Sequence, residues 1–336
     1  MSQESVEIMQ KKLSLPQGLS TWLTENNWQL AHATQIVGGY AATLFRLHLY
    51  DQKGMPRRAI YKMVAANRAQ EVNWYRNVFA QVPELIPEVF GYVKNDSEEG
   101  ILMEDCGVTV KSFIKDYPPH EQTAWLQNVL RWLGDMHINY ETQLPALVKK
   151  GLLATYPVHS SVTWANLAIA HIKKLAEAST PMILLTRDDA DQVAAMSEWF
   201  YPRYAQWLRG RVTLTHGDPH LENIVVEGDR FRLIDWEATC AAIPQRDLAI
   251  LLQDVLIQDQ NATLQKYYFS HLGAHGWDVN TQEFIDSFQA VYFDNTLMML
   301  GWEINKYREG YLSRDEITGI VNAKLQWLRM SYAQLR

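Results

Sequence analysis

The chain has 336 residues, 47% of them hydrophobic, and a formal net charge of −7, so it can bury two cores and lacks the basic surplus of a general nucleic-acid binder. Its two cysteines, Cys106 and Cys240, stand far apart and form neither a metal-ligand pattern nor a disulfide framework, which points to a reducing cytoplasm. No window approaches the ~20 apolar residues of a spanning helix and the N-terminal stretch has no signal-peptide core, so no membrane partner is expected.

Gln35-Ile36-Val37 leads into Gly38-Gly39-Tyr40-Ala41-Ala42, and 43–50 follows with Phe45, Leu47 and Leu49 on one face, which reads as strand, loop and strand. Two adjacent glycines let backbone approach a phosphate, and a plain hairpin accounts for them equally. The turn Asp51-Gln52-Lys53-Gly54 sends the chain into a strand at 58–64, whose apolar run is interrupted by Lys62. An ammonium in a buried strand needs a charge partner. Glu71 is the candidate, on the helical stretch 68–81 where Val72, Tyr75, Val78 and Phe79 recur at helical spacing. A strand lysine paired with a helix glutamate holds nucleotide phosphates in kinase-like folds, whereas a solvent-facing lysine and an unrelated glutamate are the plainer alternative.

The segments 87–93 and 101–107, joined by a polar turn at 95–100, form another strand pair ending at Gly107. A helix follows at 122–137, with Trp125, Leu126, Val129, Leu130, Leu133 and Met136 on one face, and further helices at 162–177 and 188–208.

The densest signal is Leu214-Thr215-His216-Gly217-Asp218-Pro219-His220-Leu221-Glu222-Asn223, followed by Leu233-Ile234-Asp235-Trp236-Glu237. Between them lie Ile224-Val225-Val226, the turn Glu227-Gly228-Asp229-Arg230 and Phe231-Arg232, a hairpin whose closure brings Asn223 and Asp235 together. An amide oxygen and a carboxylate there suit a hard cation such as Mg²⁺. Asp218, in the loop leading in, is placed to orient a hydroxyl and accept its proton; with a reference pKa near ~3.9 it is a weak base, so the proton moves late. Gly-Asp alone is an ordinary turn dipeptide, but three polar residues at these spacings between apolar strands exceed what turn chemistry supplies. His216 reads as packed beneath the loop, and His220 and Glu222 as polar loop residues.

The stretch 214–249, closed by Arg246-Asp247-Leu248-Ala249, resembles the phosphate-transfer motif of the aminoglycoside phosphotransferase and choline kinase family. That resemblance implies an α+β, bilobal, protein-kinase-like fold. Residues 1–105 would form an N-terminal antiparallel β-sheet lobe that binds nucleotide, and 106–336 a larger, mostly helical catalytic and acceptor-binding lobe, with a helical insertion at about 140–210 and the nucleotide in the cleft between. It further implies transfer from ATP or GTP, with Mg²⁺, to a hydroxyl of an aminoglycoside-like or amino-alcohol-like small molecule. Asp218 matches the catalytic aspartate and Asn223 and Asp235 the metal ligands. Nucleotide contacts fall on Gly38, Gly39, Tyr40, Ala41, Lys62 and Glu71. At the hinge they fall on Met103, the Glu104 carbonyl and the Cys106 amide, where an ordinary strand-to-helix connection fits the same residues.

Almost eighty residues separate His137 from His216 and no Ala-Pro-Glu follows Asp247, which disfavours a protein substrate. The C-terminal Tyr292, Phe293, Asp294, Trp302, Glu303 and Tyr307 suit either a cation-binding surface or a helical core. A kinase of a sugar or other metabolite and a catalytically silent kinase-like binding protein are the alternatives. The presence of Lys62, Asp218, Asn223 and Asp235 favours an enzyme, and the oligomeric state stays open.

Overall fold

Alternating apolar residues at Phe45, Leu47 and Leu49, and at Ala59 and Tyr61, each put one strand face into a common core. The computed structural model describes residues 15–36, 42–64, 70–79, 83–96, 98–178, 185–255, 260–277 and 280–336. Its elements begin with α1 (Gln17–Glu25), β1 (Gln29–Ile36), β2 (Ala42–Tyr50), β3 (Pro56–Val64), α2 (Gln70–Asn77), β4 (Val89–Lys94), β5 (Glu99–Glu104), β6 (Val108–Thr109) and α3 (Val110–Ile114). They continue with α4 (Pro119–Glu141), α5 (Leu144–Lys149), α6 (Val158–Glu177), α7 (Arg187–Phe200), α8 (Tyr204–Trp207), β7 (Thr213–Thr215), β8 (Ile224–Glu227) and β9 (Arg230–Leu233). The last are β10 (Cys240–Ala242), α9 (Gln245–Asp254), α10 (Asn261–Ala274), α11 (Thr281–Arg308) and α12 (Arg314–Leu335). No described helix is long and apolar enough to cross a membrane.

The chain divides into two compact units, the first comprising Met1–Phe113 and Glu222–Glu237. Its main sheet has the order β1-β2-β3-β5-β4 with every neighbour antiparallel. Leu19, Leu23, Phe45, Leu47, Leu49, Ala59, Tyr61, Val93 and Leu102 fill its core. A second small sheet, β6-β8-β9, carries the predicted hairpin in the expected register, Ile224 opposite Leu233 and Glu227 opposite Arg230. Helix α1 starts after Pro16 with no capping side chain of its own. Glu98 supplies the acceptor, taking the amides of Gly18 at 2.7 Å and Leu19 at 3.2 Å and the Tyr61 hydroxyl at 2.6 Å.

The second unit, Ile114–Leu221 and Ala238–Arg336, is helical around the two-stranded β7–β10 ladder. Helix α11 is its axis, packing on α12, α6 and α9. The core includes Ala168, Ile172, Phe200, Tyr204, Phe293, Leu297, Leu300, Val321 and Leu328. The helix expected at 188–208 is interrupted: α7 stops at Phe200 and a 3₁₀ turn over Tyr201–Arg203 precedes α8. Pro202 explains the break, because its ring clashes with the preceding turn and it has no amide hydrogen to donate.

Tyr292, Phe293 and Asp294 are buried, so they belong to the core rather than to a cation-binding surface. Asp294 accepts hydrogen bonds from the hydroxyls of Tyr156 at 2.9 Å, Ser161 at 3.0 Å, Tyr201 at 2.7 Å and Tyr204 at 3.0 Å. Burial lifts its carboxyl above the ordinary range even though these donors pull it down. Asp294→Ala orphans several buried hydroxyls at once and should lower the unfolding free energy by roughly 3 kcal/mol, more than Asp294→Asn, in urea denaturation followed by circular dichroism.

Candidate active site

In the first unit the chemistry centres on Lys62. Its β3 position lies opposite Leu44 of β2 and Ile101 of β5, so the backbone is held from both sides while the side chain, 12% exposed, projects from the sheet. The ammonium nitrogen is 2.7 Å from Glu71 Oε2 on α2 and 2.7 Å from Asp235 Oδ1 just after β9. Burial pulls the Lys62 pKa down, but the Glu71 and Asp235 carboxylates outweigh it and hold the lysine above its ordinary value. Burial raises the Glu71 pKa despite Lys62, and Asp235 and Glu237 push it the same way. Three carboxylates against one ammonium leave a negative surplus of the kind that a divalent cation neutralises.

The hairpin places Asn223 beside Asp235. The Ile234 amide donates to Asn223 O at 3.0 Å, one step beyond the last register pair. Asp235 has a left-handed backbone, φ 66°, which aspartate tolerates better than most residues and which costs of order 1 kcal/mol or more at a position that is over-determined elsewhere. Trp236 provides that over-determination. It is fully buried, donates its indole N–H to Leu233 O at 3.0 Å and packs on Phe79 with ring centroids 4.1 Å apart. The Asp235 side chain stays 42% exposed. Asn223 and Asp235 thus offer hard oxygen donors at one hairpin end, a donor set that fits Mg²⁺.

In the second unit the loop carrying Asp218 is anchored by a carboxylate. Asp247, fully buried on α9, accepts the His216 amide at 2.7 Å and the Gly217 amide at 2.8 Å. His137 of α4 faces the same carboxylate through Nε2 at 3.2 Å, and its Nδ1 meets the Tyr268 hydroxyl of α10 at 2.5 Å. Burial raises the Asp247 pKa, but the His137 hydrogen bond and the charges of His137, His216 and Arg246 win, so the carboxyl sits below its ordinary value. Gly217 has φ 89°, and a Cβ there would strike Ala238 O and the Arg246 guanidinium, so only glycine fits. Asp254 takes the Leu221 amide at 2.8 Å, and the buried His216 accepts the Asp218 amide on Nδ1 at 3.2 Å. The Asp218 side chain, 47% exposed, therefore rises from a loop fixed at both ends, with His220 Nε2 3.7 Å from its Oδ2.

Of the other residues singled out by sequence, Gly38, Gly39, Tyr40 and Ala41 lie outside the described residues. Met103 is buried, Glu104 donates its amide to Glu88 O at 2.8 Å, and both end the strand that carries Ile101 opposite Lys62. Cys106 is buried and free, its thiol pushed up to about 12 by burial, with the Glu104 carboxylate adding to the rise. The sequence marks Asp247 only as part of the motif segment Arg246-Asp247-Leu248-Ala249, with no role given to it, and does not identify His137, Tyr268 and Asp254 as site residues. A faint signal exists: Asp247 heads the apolar run Leu248-Ala249-Ile250-Leu251-Leu252, and His137 continues the apolar face of α4.

Residues 33–280 match the model of the phosphotransferase enzyme family. The chain belongs to that family. None of the curated protein sequences is similar enough to count as a relative. Among solved structures, this phosphotransferase is similar to the choline kinase LicA from Streptococcus pneumoniae, with TM-score 0.59 and 14% identity over 93% of this chain and 98% of that one. A choline/ethanolamine kinase family protein from Mesorhizobium loti gives TM-score 0.57 and 14% identity over 91% and 92%. An aminoglycoside phosphotransferase from Streptomyces rimosus, in complex with ADP and streptomycin, gives 0.52 and 16% over 83% and 97%. The shared architecture is protein-kinase-like, an antiparallel N-terminal sheet with a helical C-terminal part. Membership of that family makes the chain a phosphotransferase, and the solved structures share its fold.

Asp247→Ala should destabilise the phosphotransferase by about 3 kcal/mol, since two backbone amides lose a charged acceptor. The native pKa of Asp247 lies below its ordinary value. Its stabilising contribution is therefore complete above the ordinary carboxylate range and is lost as pH falls through the native pKa. Asp247→Asn should flatten the acid limb of stability against pH in a thermal-melt series.

Proposed function

We propose that this phosphotransferase moves the γ-phosphoryl group of ATP to a hydroxyl of a small, amine-bearing acceptor, releasing ADP and a phosphomonoester. The observation that carries the reading is the Lys62 ammonium held between Glu71 and Asp235, because a strand lysine paired with a helix glutamate is the arrangement by which kinase-like folds hold nucleotide phosphates. Glu71 orients Lys62 from the buried side, leaving the ammonium's remaining hydrogen for a phosphate oxygen. Asn223 and Asp235 would hold Mg²⁺, which when bound supplies neutralisation of the β- and γ-phosphate charge.

Asp218 receives the acceptor's hydroxyl as a hydrogen-bond donor and turns its oxygen toward phosphorus. As the new O–P bond forms and the bond to the β-phosphate oxygen breaks, the hydroxyl proton passes to the Asp218 carboxylate. Asp247 and His216 keep the loop backbone from drifting, so the alignment is in place before substrate arrives. GTP is the alternative donor, since backbone groups at Glu104 and Cys106 would read the base.

An amine on the acceptor is supported by two features. The chain is acidic overall, and Trp302 of α11, 38% exposed, offers an aromatic face of the kind that attracts ammonium groups, while the carboxylate of neighbouring Glu303 is already paired with Lys306 at 3.5 Å. Choline and aminoglycosides, the substrates in the names of the similar structures, share this chemistry.

The test is release of ADP or GDP from the Mg²⁺ nucleotide across aminoglycosides, amino alcohols and neutral sugars. Acceptor-dependent release should be reduced roughly 10²–10⁴-fold in Asp218→Asn with nucleotide affinity retained. An Asp218→Asn protein as active as the parent would remove the assignment. Lys62→Ala should weaken nucleotide binding and turnover together, and unchanged values in that variant would overturn the role given to the ammonium.

A further inference from the structure

Two histidines and a carboxylate on α4 and α10 form a cluster that the phosphoryl-transfer chemistry does not use. His271 and His275 stand one helical turn apart on or at the end of α10, which puts both rings on one face, and Asp135 meets them from α4. His271 Nε2 is 2.7 Å from Asp135 Oδ1, and the two ring centroids are 4.4 Å apart. One ring nitrogen from each histidine and one Asp135 oxygen all lie within 4.8 Å of one another.

Two details prepare these groups for a ligand. His275 Nδ1 lies 2.9 Å from the His271 carbonyl oxygen, to which it can only donate, so the neutral ring keeps its lone pair on Nε2. Gly134 sits inside α4, where a glycine costs about 1 kcal/mol relative to alanine, and a Cβ there would press on His271 Cδ2 at 2.8 Å. The helix carries that cost at the position that lets the imidazole lie against it.

We propose that Asp135, His271 and His275 bind a divalent transition-metal cation of the Zn²⁺ type, tying α4 to α10 at a site whose ligands differ from Asn223 and Asp235. Two imidazoles with one carboxylate favour Zn²⁺, Ni²⁺ or Cu²⁺ over Mg²⁺, which prefers oxygen. Bonds of ~2.1 Å in a tetrahedron set ligand atoms about 3.4 Å apart, so His271 and Asp135 open by about 0.7 Å and the widest separation closes by at most about 1.4 Å. Asp135 is partly exposed and His275 exposed, which leaves room for that adjustment and for a water as fourth ligand.

Full-length protein in excess Mg²⁺ is titrated with Zn²⁺ by calorimetry, with Co²⁺ absorption as a second readout and thermal melting as a third. The parent should bind one equivalent, show a tetrahedral Co²⁺ band and melt at a higher temperature with Zn²⁺. His275→Ala, at an exposed position that leaves the fold intact, and Asp135→Asn should each weaken binding at least ten-fold and lose the melting shift, while Asp235→Asn keeps both. A parent with no Zn²⁺-dependent change overturns the proposal. So does Zn²⁺ binding that survives in His275→Ala, or that disappears in Asp235→Asn and so belongs to the phosphate-handling ligands.

Discussion

One ammonium group, on Lys62, is held by carboxylates from two other stretches of chain, and the first unit is organised around that sharing. A strand and a helix converge because Lys62 and Glu71 cannot be buried separately at tolerable cost, and the half-exposed Asp235 at the exit of a hairpin gives the ammonium its second partner. Attraction within the cluster keeps the lysine charged, while the surplus of negative charge makes the group unfinished without further cations. The left-handed backbone at Asp235 belongs to the same economy of position: Trp236 locks the next residue, so the strained conformation persists.

The second unit inverts the signs. There a single carboxylate, Asp247, gathers two backbone amides and an imidazole, and the ordered object is a loop instead of a side chain. His137 and Tyr268 extend the arrangement from α9 to α4 and α10, so the loop bearing Asp218 is braced through three helices. Phosphoryl transfer asks a protein mainly for placement and fixed charge. Both units answer with buried charges held by ion pairs or hydrogen bonds, and the groups that would meet substrate, Asp218 and Asp235, are the ones left about half exposed.

Much of this was legible in the sequence where the relevant physics is local or is punished by burial. The strands show period-two alternation, the hairpin announces itself through Gly228 and Asp229, and the lone lysine in an apolar strand demands a nearby acid. The loop anchors were not legible: Asp247 lies 110 residues from His137, and His137 lies 131 from Tyr268, separations at which no periodicity operates. The Glu98 cap on α1 escaped for the same reason, at 80 residues' distance from Gly18. Aromatics and an acid at helical spacing on α11 are ambiguous by nature. The hydroxyls that surround Asp294 come from 133 to 138 residues away on α6 and its approach and from 90 to 93 away near α8, and only the fold reveals them as a buried polar knot.

The state of Cys106 has a practical side. A thiol held near 12 has a thiolate fraction at neutral pH of only about 10⁻⁵, roughly three orders of magnitude below an unperturbed cysteine. Electrophilic warheads, which react with the anion, would meet a thiol that is both buried and almost wholly protonated. Inhibitors of this phosphotransferase that reach the Glu104–Cys106 segment would have to rely on reversible shape and hydrogen-bond complementarity, and selectivity by covalent capture at that cysteine is closed off by the same burial that shapes the end of the strand.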